Sequence, residues 1–281
     1  MFAMENMRRI IVYDDPRAMT AASGLTARLK ESFPGYKVDN LPTAAFLRAL
    51  DNDAGAIAVI PGISGDDCRY TDLMGGEAGH RKLHGYVERG GVLLTVCAGS
   101  YFITRKTEWT PHWGRAKERV NASALFNAVA RGPVGEGRQA ATPGTYNDCT
   151  MAPVSYRGAD GRWHETEVAY GNGPALYPDD DTQDMDVLAR YSGVPGSPIA
   201  AAWLKQGKGA VLWLGVLPYL GYEDTPMEPG PFTDKYRGLM EKLKASEAGR
   251  QDFWAALVGR ITDHLSLGSR QPPAPRQQWG L

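Results

Sequence analysis

The sequence predicts an α/β protein: a doubly wound, mostly parallel sheet with β-hairpin additions in its second half and a helical extension at its C-terminal end. Three observations lead there. Short, β-branched apolar runs alternate with helical spacing over the first ~100 residues, the pattern of successive βα units. The runs stop at turns of acidic or small residues, Asp14-Asp15-Pro16, Pro61-Gly62 and Cys97-Ala98-Gly99, which places these turns together at the carboxyl edge of the sheet, where ligands bind such folds. Beyond Gly132, turn signals at hairpin spacing take over.

In chain order, Ile10 to Tyr13 is the first buried strand, and Leu25, Leu29 and Phe33 mark a helix that Pro34-Gly35 terminates. Tyr36 to Leu41 alternates as a second strand, Thr43 caps a short helix through Leu50, and Ala56 to Ile60 is a third strand. After a polar loop, Leu83 and Val87 place a helix that ends at Gly90, and Val92 to Val96 is a fourth strand, entered through Gly90-Gly91. Val120, Leu125 and Val129 share one side of a predicted helix over Glu118 to Ala130. Gly158-Ala159-Asp160-Gly161 and Gln206-Gly207-Lys208-Gly209 each separate a pair of strands, and Ala210 to Gly215 is a last core strand. Phe253, Trp254, Leu257, Val258, Ile261 and Leu265 form the apolar stripe of a closing helix, and residues 268–281, with Pro272, Pro273 and Pro275, read as a loose tail.

Bulk properties exclude several functions. The chain has 281 residues, 43% of them hydrophobic, and 31 basic against 32 acidic side chains for a formal charge of -1, so nothing attracts nucleic acid or an anionic membrane. Cys68, Cys97 and Cys149 show no C-x-x-C spacing, which indicates neither a disulfide framework nor a zinc site, and no metal or other cofactor is implied. No apolar segment reaches the length needed to span a bilayer, and a cytoplasmic location is expected.

The chemistry concentrates at Cys97. It stands where an interior strand must bend sharply into a helix, an elbow that lifts the side chain out of the sheet beside main-chain N–H groups able to favour a thiolate and hold an oxyanion. Ala98 and Gly99 leave space around the sulfur. The competing reading is a buried cysteine serving as a small hydrophobe.

With the elbow in view, the chain resembles the class I glutamine amidotransferase-like fold, and within it the amino-terminal domain of biotin–protein ligases and its stand-alone bacterial relatives. The words that carry the resemblance are Ile11-Val12-Tyr13, Pro61-Gly62, Tyr70 through Leu73, Val87-Glu88-Arg89-Gly90-Gly91, Cys97-Ala98-Gly99-Ser100-Tyr101-Phe102, Tyr170-Gly171-Asn172-Gly173-Pro174 and Gly215-Val216. The resemblance implies a flavodoxin-like domain over residues 8–220, with 221–267 packing on it as a helical extension. It further implies Cys97 as nucleophile and an oxyanion hole from the N–H groups of Ala98 and of Gly62 or Ile63.

Departures from the family pattern bear on function. Where amidotransferases carry a Gly-x-His-Pro-Glu-like word, this chain reads Gly215-Val216-Leu217-Pro218-Tyr219, so leucine stands at the histidine position and ordinary glutaminase turnover is not expected. Thr95 replaces the first glycine of the G-x-C-x-G elbow, and Ile63 the second glycine of a Pro-Gly-Gly turn. Neither the Gly-Arg-Gly-Arg loop nor the Lys-Trp-Pro-Asn-Asp word of a biotin ligase is present, so the chain is not a biotin ligase by itself.

His112 is the candidate substitute base, against the plainer reading of a surface histidine in an aromatic loop. His80 and His84 share a helix face without a third ligand and read, like His264, as solvated; His164 falls in a strand. Asp14 and Asp15 could hold a cation or an amine, or simply cap the turn before Pro16. Candidate ligand-binding residues are Ser64, Arg69 as a carboxylate clamp, Tyr70 as a hydrogen-bond donor, Ser100, Tyr101, Asn172 and Gly173. The expected ligand is a small polar molecule or an acyl or amide substrate. Sequence favours a binding or regulatory pseudo-amidotransferase, with a thiol-dependent hydrolase or amidotransferase using a non-standard base, and a docking module for a partner protein, as the alternatives.

Overall fold

The computed structural model describes residues 8–52, 57–63, 69–110, 115–121, 124–134, 149–179, 184–223 and 233–269. Its centre is the predicted parallel sheet. Strands β1 (Arg9–Tyr13), β2 (Lys37–Leu41), β3 (Ile57–Ile60) and β4 (Val92–Val96) combine with β13 (Gly209–Leu214) in the order β2-β1-β3-β4-β13, every pair parallel. The chain runs outward from β1 to β2 and returns to β3 on the other side of β1, the strand reversal that opens a crevice at the carboxyl ends. β3, β4 and β13 are buried at every position, which is why they read as continuous apolar runs.

Alternation along the strands feeds two apolar layers. Ile10, Val12, Val59 and Leu94 face α1 (Ser23–Ser32) and α7 (Glu247–Ser269), while Ile11, Tyr13, Ile60 and Leu93 face α2 (Thr43–Asn52) and α4 (Glu77–Glu88). The helix α6 (Thr233–Ala245) precedes α7 and packs on the same side as it. Arg250, fully buried at the start of α7, donates Nη1 to the Pro218 carbonyl at 2.8 Å and pairs with Glu247, so the extension clamps the segment that leaves β13.

β12 (Ile199–Gln206) pairs antiparallel with β13 and divides the remaining strands. On one side run β11 (Met185–Tyr191), β8 (Thr150–Arg157) and β9 (Trp163–Tyr170); on the other run β10 (Ala175–Pro178), β7 (Phe126–Gly132), β5 (Thr104–Trp109) and β6 (Lys117–Val120). Two readings are corrected here. The helix expected over Glu118 to Ala130 is instead two strands, β6 and β7, on either side of β5, because Phe126, Ala128 and Ala130 are buried alternately and the spacing of Val120, Leu125 and Val129 is incidental. β5, whose Thr-Arg-Lys-Thr-Glu-Trp carries no apolar alternation, was not foreseen and is held by its partners β6 and β7.

Candidate functional site

Cys97 occupies a strained elbow. Its backbone lies at φ 50° and ψ −108°, a conformation that costs a non-glycine residue about 1–3 kcal/mol and therefore needs surrounding structure to hold it. That structure is identifiable. The Cys97 N–H donates to Leu214 O at 2.9 Å, and its carbonyl accepts from Ser100 and Tyr101 as the short helix α5 (Ala98–Phe102) begins. Gly99 lets α5 press onto β3: a Cβ there would lie 2.3 Å from the Ile60 carbonyl oxygen. Ser100, fully buried, donates Oγ to Leu214 O at 2.8 Å and meets Thr95 Oγ1 at 3.1 Å, so Thr95, standing where the family has glycine, braces the elbow from below.

The Pro61-Gly62 turn faces the sulfur. A Cβ on Gly62 would lie 3.4 Å from Cys97 Cβ and 3.9 Å from Sγ. Tyr70, at the start of α3 (Tyr70–Leu73), is fully buried and donates its hydroxyl to Pro61 O at 2.7 Å, with Gly62 O at 3.3 Å. Ile63 bridges to Thr20, and Ala21 N–H donates to Gly62 O. The two elements expected to supply an oxyanion hole, Ala98 at the head of α5 and the Gly62-Ile63 turn, therefore stand on either side of Cys97.

The third wall is the segment from Gly171 to Pro174. The Cys97 thiol donates to Gly171 O at 3.3 Å, a bond made by the protonated sulfur. Tyr101 Oη donates to Asn172 O at 3.2 Å, and Tyr170 Oη donates to Gly173 O at 2.8 Å. A Cβ on Gly173 would come within 1.9 Å of the Gly215 carbonyl oxygen, so this segment and the end of β13 touch backbone to backbone. Burial above all holds the phenols of Tyr101 and Tyr191 well above their ordinary range, so both remain protonated donors. Asn172 sits in the left-handed region at φ 61°, and its Oδ1 is buried with no hydrogen-bond partner among the described residues. Trp109 Nε1, on the ring that meets Tyr101 edge-on at 5.6 Å, is likewise buried without a partner among the described residues. Native proteins leave few such groups, and an unpaired acceptor and donor in one neighbourhood suit a polar ligand that completes them.

The position where the family pattern has histidine is filled by packing. Leu217 is 8% exposed, bridges to Ala169, and approaches Gly171: its Cδ1 would meet a Cβ there at 3.4 Å. His112 and Ser64 lie outside the described residues. The other histidines are engaged elsewhere: His84 with Gln206, His164 with Asp160, and His264 against Trp203. His80 corrects the solvated-face reading. It is fully buried, stacks on Phe102 behind the elbow and meets Asn121 Nδ2, and burial pushes its pKa down to about 4.

Of the predicted ligand contacts, Asn172 and Gly173 line the elbow. Tyr70, Ser100 and Tyr101 each donate the hydroxyl to a backbone carbonyl, bonds that build the walls around the elbow. Arg69 is exposed before α3. Asp15 is buried, caps the following turn and α2 through Arg17 and Thr43, and is held far below the carboxylate range chiefly by Arg17; Asp14 joins Thr20 and Asn40. Both aspartates thus serve the turn. What sequence reasoning missed is Trp109, which lies in the strand that was not foreseen, and Cys149, whose Sγ would meet a Cβ on Gly171 at 3.6 Å.

The parallel sheet and its strand reversal are a glutamine amidotransferase-like fold. A glutamine amidotransferase structure from Thermotoga maritima matches the fold with a TM-score of 0.53 at 11% identity, covering 92% of this chain and 100% of that one. The family model described as biotin-protein ligase, N terminal, matches residues 8–276, and the chain belongs to that family. An uncharacterized protein of Chlamydia muridarum is 25% identical over 265 residues, 92% of this chain and 97% of its own length. The biotin–protein ligase of Schizosaccharomyces pombe is 26% identical over 174 residues, and the matched part is 61% of this chain but 27% of the ligase.

Proposed function

We propose that this chain is a small-molecule-binding or regulatory pseudo-amidotransferase: the elbow, the Pro61-Gly62 turn and the glycine segment bind a polar ligand, and glutaminase turnover has been lost. The observation that carries this reading is Leu217, an aliphatic side chain packed at Gly171 where the family pattern has a proton-transferring imidazole. The thiol's bond to the Gly171 carbonyl supports it, since it holds the sulfur as a donor. The unpaired Asn172 Oδ1 and Trp109 Nε1 give the ligand an acceptor and a donor to satisfy. The test is ammonia release from L-glutamine and from simple amides and esters by the intact chain and by Cys97→Ala. Equal, background-level rates are expected. Turnover that vanishes with Cys97 would instead establish the thiol-dependent hydrolase, a reading favoured by the retention of a strained cysteine where glycine would sit without cost.

A docking role draws on one further observation. The S. pombe ligase contains a similar segment within its own chain, and the docking reading has the present chain associate with a ligase. Co-purification with a ligase that survives Cys97→Ala would support it, and a monodisperse protein with no such partner would count against it.

A further inference from the structure

We propose that Cys97 and Cys149 form an oxidation site, a dithiol that hydroperoxides convert into an intramolecular disulfide at Gly171. This goes beyond ligand binding and does not depend on it. Cys97 Sγ lies 3.3 Å from the Gly171 carbonyl oxygen, and Cys149 Sγ would lie 3.6 Å from a Cβ built on the same residue. Both sulfurs therefore lie against one residue without a side chain, Cys97 at its carbonyl oxygen and Cys149 at the place a Cβ would take. The two thiols arrive from separate parts of the fold. Cys97 ends β4, whereas Cys149 directly precedes β8, whose first residue Thr150 pairs with Tyr170, so the next position in register brings Cys149 to Gly171. Both are partly accessible, within reach of a small oxidant, and both pack against the same apolar cluster.

The chemistry closes with hydrogen peroxide as the oxidant. The Cys97 sulfur attacks one peroxide oxygen, the O–O bond breaks, and the departing hydroxide takes up the thiol proton as water, leaving a sulfenic acid. The Cys149 sulfur then attacks Cys97 Sγ; the S–O bond breaks, hydroxide leaves with the Cys149 proton as a second water, and the S–S bond forms. Two thiols are oxidised by two electrons in all, and the peroxide is reduced by two. A disulfide brings the two Cα atoms within about 7 Å of each other, and Gly171 adds no side chain of its own to obstruct that closure.

The experiment treats the reduced full chain with limiting hydrogen peroxide, blocks remaining thiols, and maps peptides without reduction. The titratable thiols should fall from three to one, accounted for by a Cys97–Cys149 linked peptide that dithiothreitol reverses. In Cys149→Ser, a dimedone-type probe should capture sulfenic acid at Cys97. Gly171→Ala, whose new Cβ meets nothing closer than 3.4 Å and leaves the fold in place, should slow linkage about tenfold by placing a methyl group against Cys149 Sγ and hindering its movement past Gly171. A Cys97–Cys68 linkage, intermolecular disulfides alone, overoxidised Cys97 beside a reduced Cys149, or an unchanged rate in Gly171→Ala would each overturn the proposal. Ligand binding is read on reduced protein, so its outcome stands apart from these.

Discussion

β4 and β13 are neighbours in the sheet, end at the same edge, and end differently. β4 terminates in a cysteine held at positive φ by Leu214, Ser100 and the close approach of Gly99 to Ile60. β13 runs through Gly215 and Val216 into Leu217, an apolar turn clamped from behind by Arg250. Presenting a nucleophile and activating it are thus separate structural problems. Under the proposed reading the first is solved at Cys97 by backbone geometry and tight packing. The second requires a titratable group within hydrogen-bond distance, and the strand end that supplies it in the family pattern supplies packing instead.

The largest way to break the comparison is to push the two strand ends apart. A Cβ at Gly215 would sit 1.9 Å from the Pro174 carbonyl oxygen, backbone against side chain, so Gly215→Ala should cost about 3 kcal/mol or more, seen as a lower urea midpoint, and should loosen the Gly171–Pro174 wall. Next comes His80, which supports α5 from behind. Its folded pKa of about 4 lies below the unfolded 6.5, so the folded state binds fewer protons; stability is complete above pH 6.5 and falls by up to about 3 kcal/mol as pH drops towards 4. Urea unfolding at pH 7 and pH 4.5 checks the sign, and His80→Gln should flatten the difference.

Smaller effects sharpen the β4 side. Tyr70→Phe leaves the buried Pro61 carbonyl without its 2.7 Å donor and should cost about 1–2 kcal/mol, with weakened ligand binding at the Gly62 turn. Cys97→Gly and Cys97→Ala both remove the sulfur, but only glycine relieves the φ of 50°, so the glycine variant should be the more stable of the two by about 1 kcal/mol in the same urea assay. Equal stability would mean that the elbow carries no strain.

The parallel core was legible because β3, β4 and β13 bury every position, and a fully buried strand writes itself as an unbroken apolar run. The turn from strand to helix at Cys97 followed from the small residues after it. The antiparallel half was less legible for a physical reason: β5 carries Arg105, Lys106 and Glu108 and is held by strand partners, which local sequence does not display. The hydrogen bonds of Ser100, Tyr70 and Tyr101 were not legible because a polar side chain does not announce its acceptor; theirs are carbonyls of Leu214, Pro61 and Asn172, two of them more than 70 residues away. The approach of Cys149 to Gly171 likewise depends on the register of β8 against β9.

The central claim, an elbow that presents a thiol without a base, is tested most directly by the rate at which a neutral alkylating agent modifies Cys97 across pH, in the intact chain and in His112→Ala. The account predicts a rate that climbs steadily with alkalinity, with no plateau at neutral pH, and that is the same in both proteins. A plateau of fast alkylation below pH 7 that His112→Ala abolishes would contradict it.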